Sequence, residues 1–331
     1  PLPQGSLSVT GPFCTSGSPR LTYTSTTGTG PFIVVYNDGT ADRTVTDVAS
    51  GVAFDPFTTT ISSTTTYTLV SVTDANGCQR TSGFTSGTAT STVTILPTAI
   101  IQYTGAPFCG NNATAQAVTL TGAAGGVYSA SPVGLTLNTS TGAVTPSSST
   151  VGTYTITYTI AAAGGCPQVT ATDIIDITAP PTASISYVGS PFCNSNVSAQ
   201  SVTLTGTTGG LFTSTPAGLT IDQVTGAIIP STSTPGTYTV TYAIGAIGGC
   251  SAINATATVV ISAQRSATIS YTGSPYCTSV VSNQTPTITG TTGGVFSSTP
   301  GLTISSSTGA VTPSSSSPGT YTISYILAST G

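Results

Sequence analysis

The chain of 331 residues contains no His, Lys, Glu, Met or Trp, and its whole complement of charge is four Arg and eight Asp, a net −4. Without His, Glu and Lys it lacks the commonest general acids and bases, the usual metal-binding imidazole and the amine of Schiff-base chemistry. An enzyme built from it would run on Asp, Tyr, Ser or Cys alone, so no catalysis and no cofactor is expected. Charged residues at 4% fall far below the roughly 25% of an ordinary soluble domain. The cations Arg20, Arg43, Arg80 and Arg265 are scattered, whereas phosphate backbones require clustered ones, which excludes a nucleic-acid partner. Mean hydropathy is +0.30, yet Thr, Ser or Gly interrupts the apolar residues every few positions, so no run suits a membrane span. The start at Pro1, with no charged or apolar leader, is read as a secreted chain whose signal peptide has been removed.

What is present is repetition. Gly-Ala-Pro-Phe-Cys109, Gly-Ser-Pro-Phe-Cys193 and Gly-Ser-Pro-Tyr-Cys277 recur at one constant interval along the chain. Each leads through a Thr-x-Thr-Gly segment and a Gly-Leu-Thr segment to a Thr-Gly-Ala turn. The first stretch shares Gly11-Pro-Phe-Cys14 and then diverges. The expected domains are 1–97, of divergent subtype, then 98–181, 182–264 and 265–331, the last C-terminally incomplete.

Tyr154, Ile156, Tyr158 and Ile160 alternate with Thr, and the pattern recurs at Tyr238–Ile244 and Tyr321–Leu327. Strict period 2 in β-branched and aromatic residues predicts half-buried strands, Tyr and Ile inward and Thr outward. Helical periodicity is absent. About seven short strands per repeat give an all-β chain of tandem immunoglobulin-like β-sandwich domains. Pro-Gly-Thr-Tyr before the strongest strand, at Pro235–Tyr238 and Pro318–Tyr321, matches a tyrosine corner. Linkers of two or three residues with Pro leave little slack, which predicts a semi-rigid rod.

Of seven cysteines, Cys109 and Cys166 stand as far apart in the chain as Cys193 and Cys250 do. Neither CxxC nor His accompanies them, so disulfides rather than a metal site are expected: Cys14–Cys78, Cys109–Cys166 and Cys193–Cys250. A loop of that length contributes about 4 kcal/mol by chain entropy. Cys277 is left over, its partner expected beyond Gly331. The fourth repeat then lacks its final strand, to be supplied by continuation of the same chain, the favoured source, or by a neighbouring subunit. Disulfides place the protein in an oxidising compartment.

Gly218-Leu-Thr-Ile-Asp222 through Thr225-Gly226-Ala to Pro235-Gly-Thr-Tyr resembles the dystroglycan-type, cadherin-like Ig modules of bacterial surface proteins. Thr66-Tyr67-Thr-Leu-Val followed by Asp74-Ala-Asn-Gly-Cys78 resembles the repeats of large Bacteroidota surface adhesins, including gliding-motility adhesins. The resemblance implies tandem Ig-like domains, an extracellular or cell-surface location, and an adhesive, stalk or fibre role. The paired acidic calcium ligands of true cadherins are missing.

Asp38, Asp42 and Asp47 form the one carboxylate cluster and a weak calcium candidate; Asn37-Asp38-Gly39 reads more simply as a hairpin turn. Asp173 and Asp176 lie three apart on a strand, face opposite sides, and read as surface charges rather than a catalytic dyad. Outward Thr rows suit ice or crystalline polysaccharide, but any solvated strand shows them. Asn112, Asn138, Asn196, Asn254 and Asn283 stand in glycosylation sequons. The resulting expectation is a non-catalytic extracellular structural protein, a fibre or adhesin stalk that self-assembles or continues in a longer chain, with glycans as the other partner class. The alternative is a carbohydrate-binding or cell-adhesion module.

Overall fold

The computed structural model describes residues 1–328, and among them the regular elements are strands and three single-turn 3-10 helices. Contacts divide the chain into two compact units, Pro1–Pro180 with Gly248–Cys250, and Pro181–Ile247 with Ser251–Gly331. The architecture is a tandem series of immunoglobulin-like β-sandwiches.

In the first unit, an N-terminal sandwich places Gln4–Val9, Leu21–Thr27 and Ala53–Phe54 over a sheet of Asp42–Val48, Phe32–Asn37, Thr65–Thr73 and Gln79–Arg80; Thr88–Ser91 also pairs with Thr65–Thr73. Alternation builds the core: Phe32, Val34 and Tyr36 point in against Leu21, Tyr23 and Tyr67, while Ile33 points out. The Asn37–Gly39 turn closes the hairpin as its residues suggest, with Gly39 at φ 87°.

The second repeat pairs Ala99–Gln102 with Thr119–Gly122 and covers them with a sheet ordered Phe108–Cys109, Val169–Thr178, Gly152–Ile160, Val127–Ser131. Tyr154, Ile156 and Tyr158 are 2%, 0% and 1% exposed, and burial of each such side chain contributes about 1.5–3 kcal/mol. The Tyr238 hydroxyl donates to the Thr234 carbonyl at 2.7 Å and that of Tyr321 to the Ser317 carbonyl, closing the corners that the sequence suggests, and Tyr154 makes the same bond to Thr150 at 2.8 Å. The repeat has six strands rather than about seven. Gly134–Val144 makes only isolated bridges, Leu137 and Gln116 each to Val144, because Asn138 Oδ1 accepts the amides of Ser140 and Thr141 and Gly142 (φ 74°) turns the chain at once.

In the second unit the third repeat follows the same plan, with Phe192–Cys193, Ile253–Ser262, Gly236–Ile244 and Leu211–Thr215 in one sheet. The fourth repeat pairs Ala267–Ser270 with Thr287–Gly290 and Val295–Ser298 with Ile323–Ile326. Among the described residues no other strand pairs with Ile323–Ile326.

Candidate functional site

Two kinds of cysteine position recur. Cys14 ends the short strand Phe13–Cys14 and pairs in parallel with Thr94; Cys109 pairs likewise with Thr178, and Cys193 with Ser262. Cys166 and Cys250 instead close Gly-Gly-Cys turns that lead, two residues later, into Val169–Thr178 and Ile253–Ser262. Cys109 therefore stands beside the last residue of Val169–Thr178, while Cys166 precedes its first. The ten-residue strand between them spans roughly 30 Å, and a disulfide needs Cα atoms within about 7 Å.

The expected pairs Cys109–Cys166, Cys193–Cys250 and Cys14–Cys78 are accordingly corrected. The bonds formed are Cys14–Cys166 and Cys109–Cys250, with Cα atoms 4.6 and 4.7 Å apart. Each joins the first cysteine of one repeat to the Gly-Gly-Cys turn of the next. Cys78 sits at the far end of Thr65–Thr73 from Cys14: Thr73 pairs with Gln79, whereas Thr65 pairs with Ser91, near Thr94. The Asp74 carboxylate takes the Cys78 amide at 2.9 Å and holds that turn. Cys78, Cys193 and Cys277 carry free thiols. The hydroxyl of Ser195 donates to Cys193 Sγ at 3.2 Å and, with the Ser195 amide, lowers that thiol's pKa. The turn that would match Cys166 and Cys250 in the fourth repeat lies outside the described residues.

The glycines explain how a turn reaches the preceding cysteine. A Cβ on Gly165, at φ 81°, would stand 2.5 Å from the Pro12 carbonyl oxygen, a separation that side chains do not tolerate. Gly249 meets Pro107 in the same way, and the Thr178 hydroxyl donates to the Gly248 carbonyl. The Gly-Gly pair is visible in the sequence, but its meaning depends on which backbone lies opposite.

The carboxylates do not converge. Asp38 is buried; its Oδ1 accepts from the Thr40 and Ala41 amides at 3.0 and 2.9 Å, and Oδ2 accepts from Arg43 Nε at 2.8 Å. Burial alone would raise its pKa, but the hydrogen bonds from Thr40, Arg43 and Ala41 hold it well below the carboxylate range. Asp42 accepts from Asn37 Nδ2 at 2.7 Å, and Asp47 is an exposed residue at φ 58°. The calcium candidate is thus replaced by a turn locked with an Arg, and among the described residues no group of three or more metal-ligating side chains assembles. Asp173 and Asp176 do face opposite sides, but Asp173 is half-buried and accepts the Tyr103 amide at 2.7 Å, so it bridges the two sheets rather than serving as a surface charge. Asp176 accepts from the Thr153 hydroxyl.

Of the sequon residues, Asn138, Asn254 and Asn283 are exposed. Asn112 and Asn196 are half-buried, each accepting the amide two residues ahead at 2.9 Å. No helix among the described residues is long and apolar enough to cross a membrane.

No family model and no curated protein matches the chain. Among solved structures it is similar to a Ca2+-stabilized adhesin that helps an Antarctic bacterium bind ice, at 14% identity and TM-score 0.30, covering 89% of this chain and 86% of that one. An I-band fragment of titin is 10% identical at TM-score 0.44, covering 80% and 98%. The immunoglobulin domains 1–5 of Sidekick-1 are 10% identical at TM-score 0.33, covering 89% and 65%. With each of these TM-scores below 0.5, the likenesses carry no weight for family or function.

Proposed function

We propose that this chain is a non-catalytic structural repeat protein of the extracellular surface, a fibre or adhesin stalk whose successive sandwiches are coupled by disulfides. The observation that supports it is the direction of the two bridges, each from the first cysteine of one repeat to the Gly-Gly-Cys turn of the next. A bond inside one sandwich would protect that sandwich alone, whereas a bond between repeats carries load past the linker. The loops closed are long, with sequence separations of 152 and 141, and by chain entropy each constrains the unfolded state by about 5 kcal/mol. With no Lys and four Arg, the chain also offers a trypsin-like protease almost nothing to cut. Its surface would be hydrated by Ser and Thr hydroxyls and by glycans on the exposed sequons, or covered by self-assembly, since net charge is too small to keep copies apart. Electron microscopy of the purified protein, with and without reductant, tests this reading: fibres or extended particles that lose their integrity on reduction support it, and compact particles indifferent to reduction overturn it.

A further inference from the structure

The third repeat has a long sheet edge with no strand laid along most of it. Ile253–Ser262 pairs on one side with Gly236–Ile244, and on the other only Ile261 and Ser262 are met, by Phe192–Cys193. The amide of Val260 leaves the sheet to donate to Ser190 Oγ at 3.0 Å. Amides of an antiparallel strand point alternately to its two sides, so those of Asn254, Thr256 and Thr258 point the same way, as do their carbonyls. No acceptor among the described residues takes these three amides, and all three residues are exposed. The opposite edge of the same sheet, Leu211–Thr215, is closed where the Phe212 amide donates to the Gln223 carbonyl at 2.8 Å.

The second repeat shows the equivalent edge shielded. There Val169–Thr178 takes the place of Ile253–Ser262, and Asp173, opposite Ile156, stands where Ala257 stands opposite Val240. Asp173 Oδ1 accepts the Ile174 amide at 2.9 Å, and Oδ2 accepts the Tyr103 amide at 2.7 Å. One edge donor is thereby used, and a carboxylate lies where an incoming strand would approach, which is a known protection of sheet edges. With Ala257 in its place the Thr258 amide stays open. Ile253–Ser262 is ten residues long, with no Pro, no charge and no register shift along Gly236–Ile244, so neither shortness, charge, Pro nor a bulge blunts it.

We propose that this edge is a lateral contact between two copies of the chain, Ile253–Val259 of one copy pairing antiparallel with the same segment of the other. The strand is its own complement. With the two Thr256 residues opposite each other, Asn254 of either copy faces Thr258 of the other, and every open amide meets an open carbonyl, about six hydrogen bonds in three pairs. A shift of one residue would set them against Ala255 and Ala257, whose amides point back into their own sheet. The two four-stranded sheets become one continuous sheet, and the two-fold contact consumes the edge, so association stops at a pair. No charge opposes it, whereas the same pairing of Val169–Ile175 would bring two Asp173 carboxylates toward each other. The contact gives the self-assembly proposed above a definite surface and rests on that reading, but it uses no disulfide. Asn254 lies on it, so this sequon is covered rather than glycosylated.

The test uses the full chain, made without glycosylation and with its free thiols alkylated, which keeps both bridges and prevents new ones. Analytical ultracentrifugation is expected to show a monomer–dimer equilibrium. Hydrogen exchange at the Asn254, Thr256 and Thr258 amides is expected to slow about ten-fold between the monomeric and dimeric concentration ranges, with Thr170 and Thr172 unchanged. Two variants are each expected to weaken dimerisation about ten-fold. Ala257→Asp copies the carboxylate of the second repeat, and Thr256→Pro removes an edge donor that the fold does not use. Should either variant unfold the repeat, the exchange measurement on the unmodified sequence still decides. A monomer at every concentration, a dimer that both folded variants leave intact, or protection of another segment with these three amides unchanged overturns the proposal. A glycan on Asn254 of the native protein overturns it as well. Each of these outcomes leaves the disulfide-coupled stalk to be judged by the response of the particles to reductant.

Discussion

Replacing Cys78 and Cys193 together by Ser removes two thiols that take no part in either bridge, and a force–extension measurement on the oxidised chain should not register the change. Held at residues 1 and 331, the shortest covalent route runs to Cys14, across to Cys166, back to Cys109, across to Cys250 and on to the end. That route is about 150 residues, or roughly 530 Å at ~3.5 Å per residue. Full reduction frees all 331 residues, roughly 1,150 Å. Pairing within repeats, Cys14–Cys78, Cys109–Cys166 and Cys193–Cys250, also gives a route of about 150 residues, so the unmodified protein does not separate the two schemes. The double variant does. Under pairing within repeats it loses two of three bonds and lengthens by about 120 residues, roughly 420 Å; under the pairing in the structure it stays at the oxidised value. An optical-trap or atomic-force experiment resolves that difference, and an added extension of that size would refute the bridging between repeats.

Gly165→Ala should disfavour the Cys14–Cys166 bond and cost about 1–3 kcal/mol, read as a lower melting temperature and a smaller yield of that cross-linked peptide; Gly245→Ala, with open space around it, is the control and should change neither. Tyr67→Phe and Tyr238→Phe should have opposite signs in thermal melts. The buried Tyr67 hydroxyl has no hydrogen-bond partner among the described residues, so its removal is neutral or stabilising, whereas loss of the Tyr238 bond to Thr234 costs about 1 kcal/mol. The folded pKa of Asp38 is depressed below its ordinary 3.8, so the stability it contributes is fully present above about pH 4 and is lost as pH falls below that. Urea midpoints of the first unit's transition should therefore drop between about pH 4 and pH 2; Asp38→Asn should flatten that limb, and an unchanged slope would discount the Arg43 pairing.

The all-β class and the core strands were legible in the sequence because alternation is a local property. A strand that presents Tyr154, Ile156 and Tyr158 on one side and Thr on the other needs no distant information, and the tyrosine corners follow from residues four apart. The turn at Asn37–Gly39 was legible for the same reason. Disulfide connectivity was not, because the equal spacing of Cys109 to Cys166 and Cys193 to Cys250 says nothing about which end of the long strand each cysteine occupies. The register of Cys109 with Thr178 decides that, and the register forms only when the sheet does. Asp38 likewise looked like one of three acidic neighbours until the hairpin brought Arg43 onto its carboxylate. By itself the sequence determined the repeat, the strand faces and the absence of the side chains most catalysis requires. Only the tertiary structure decided which cysteines meet and that Asp173 turns inward to the Tyr103 amide, because each depends on residues brought together by packing across strands and repeats.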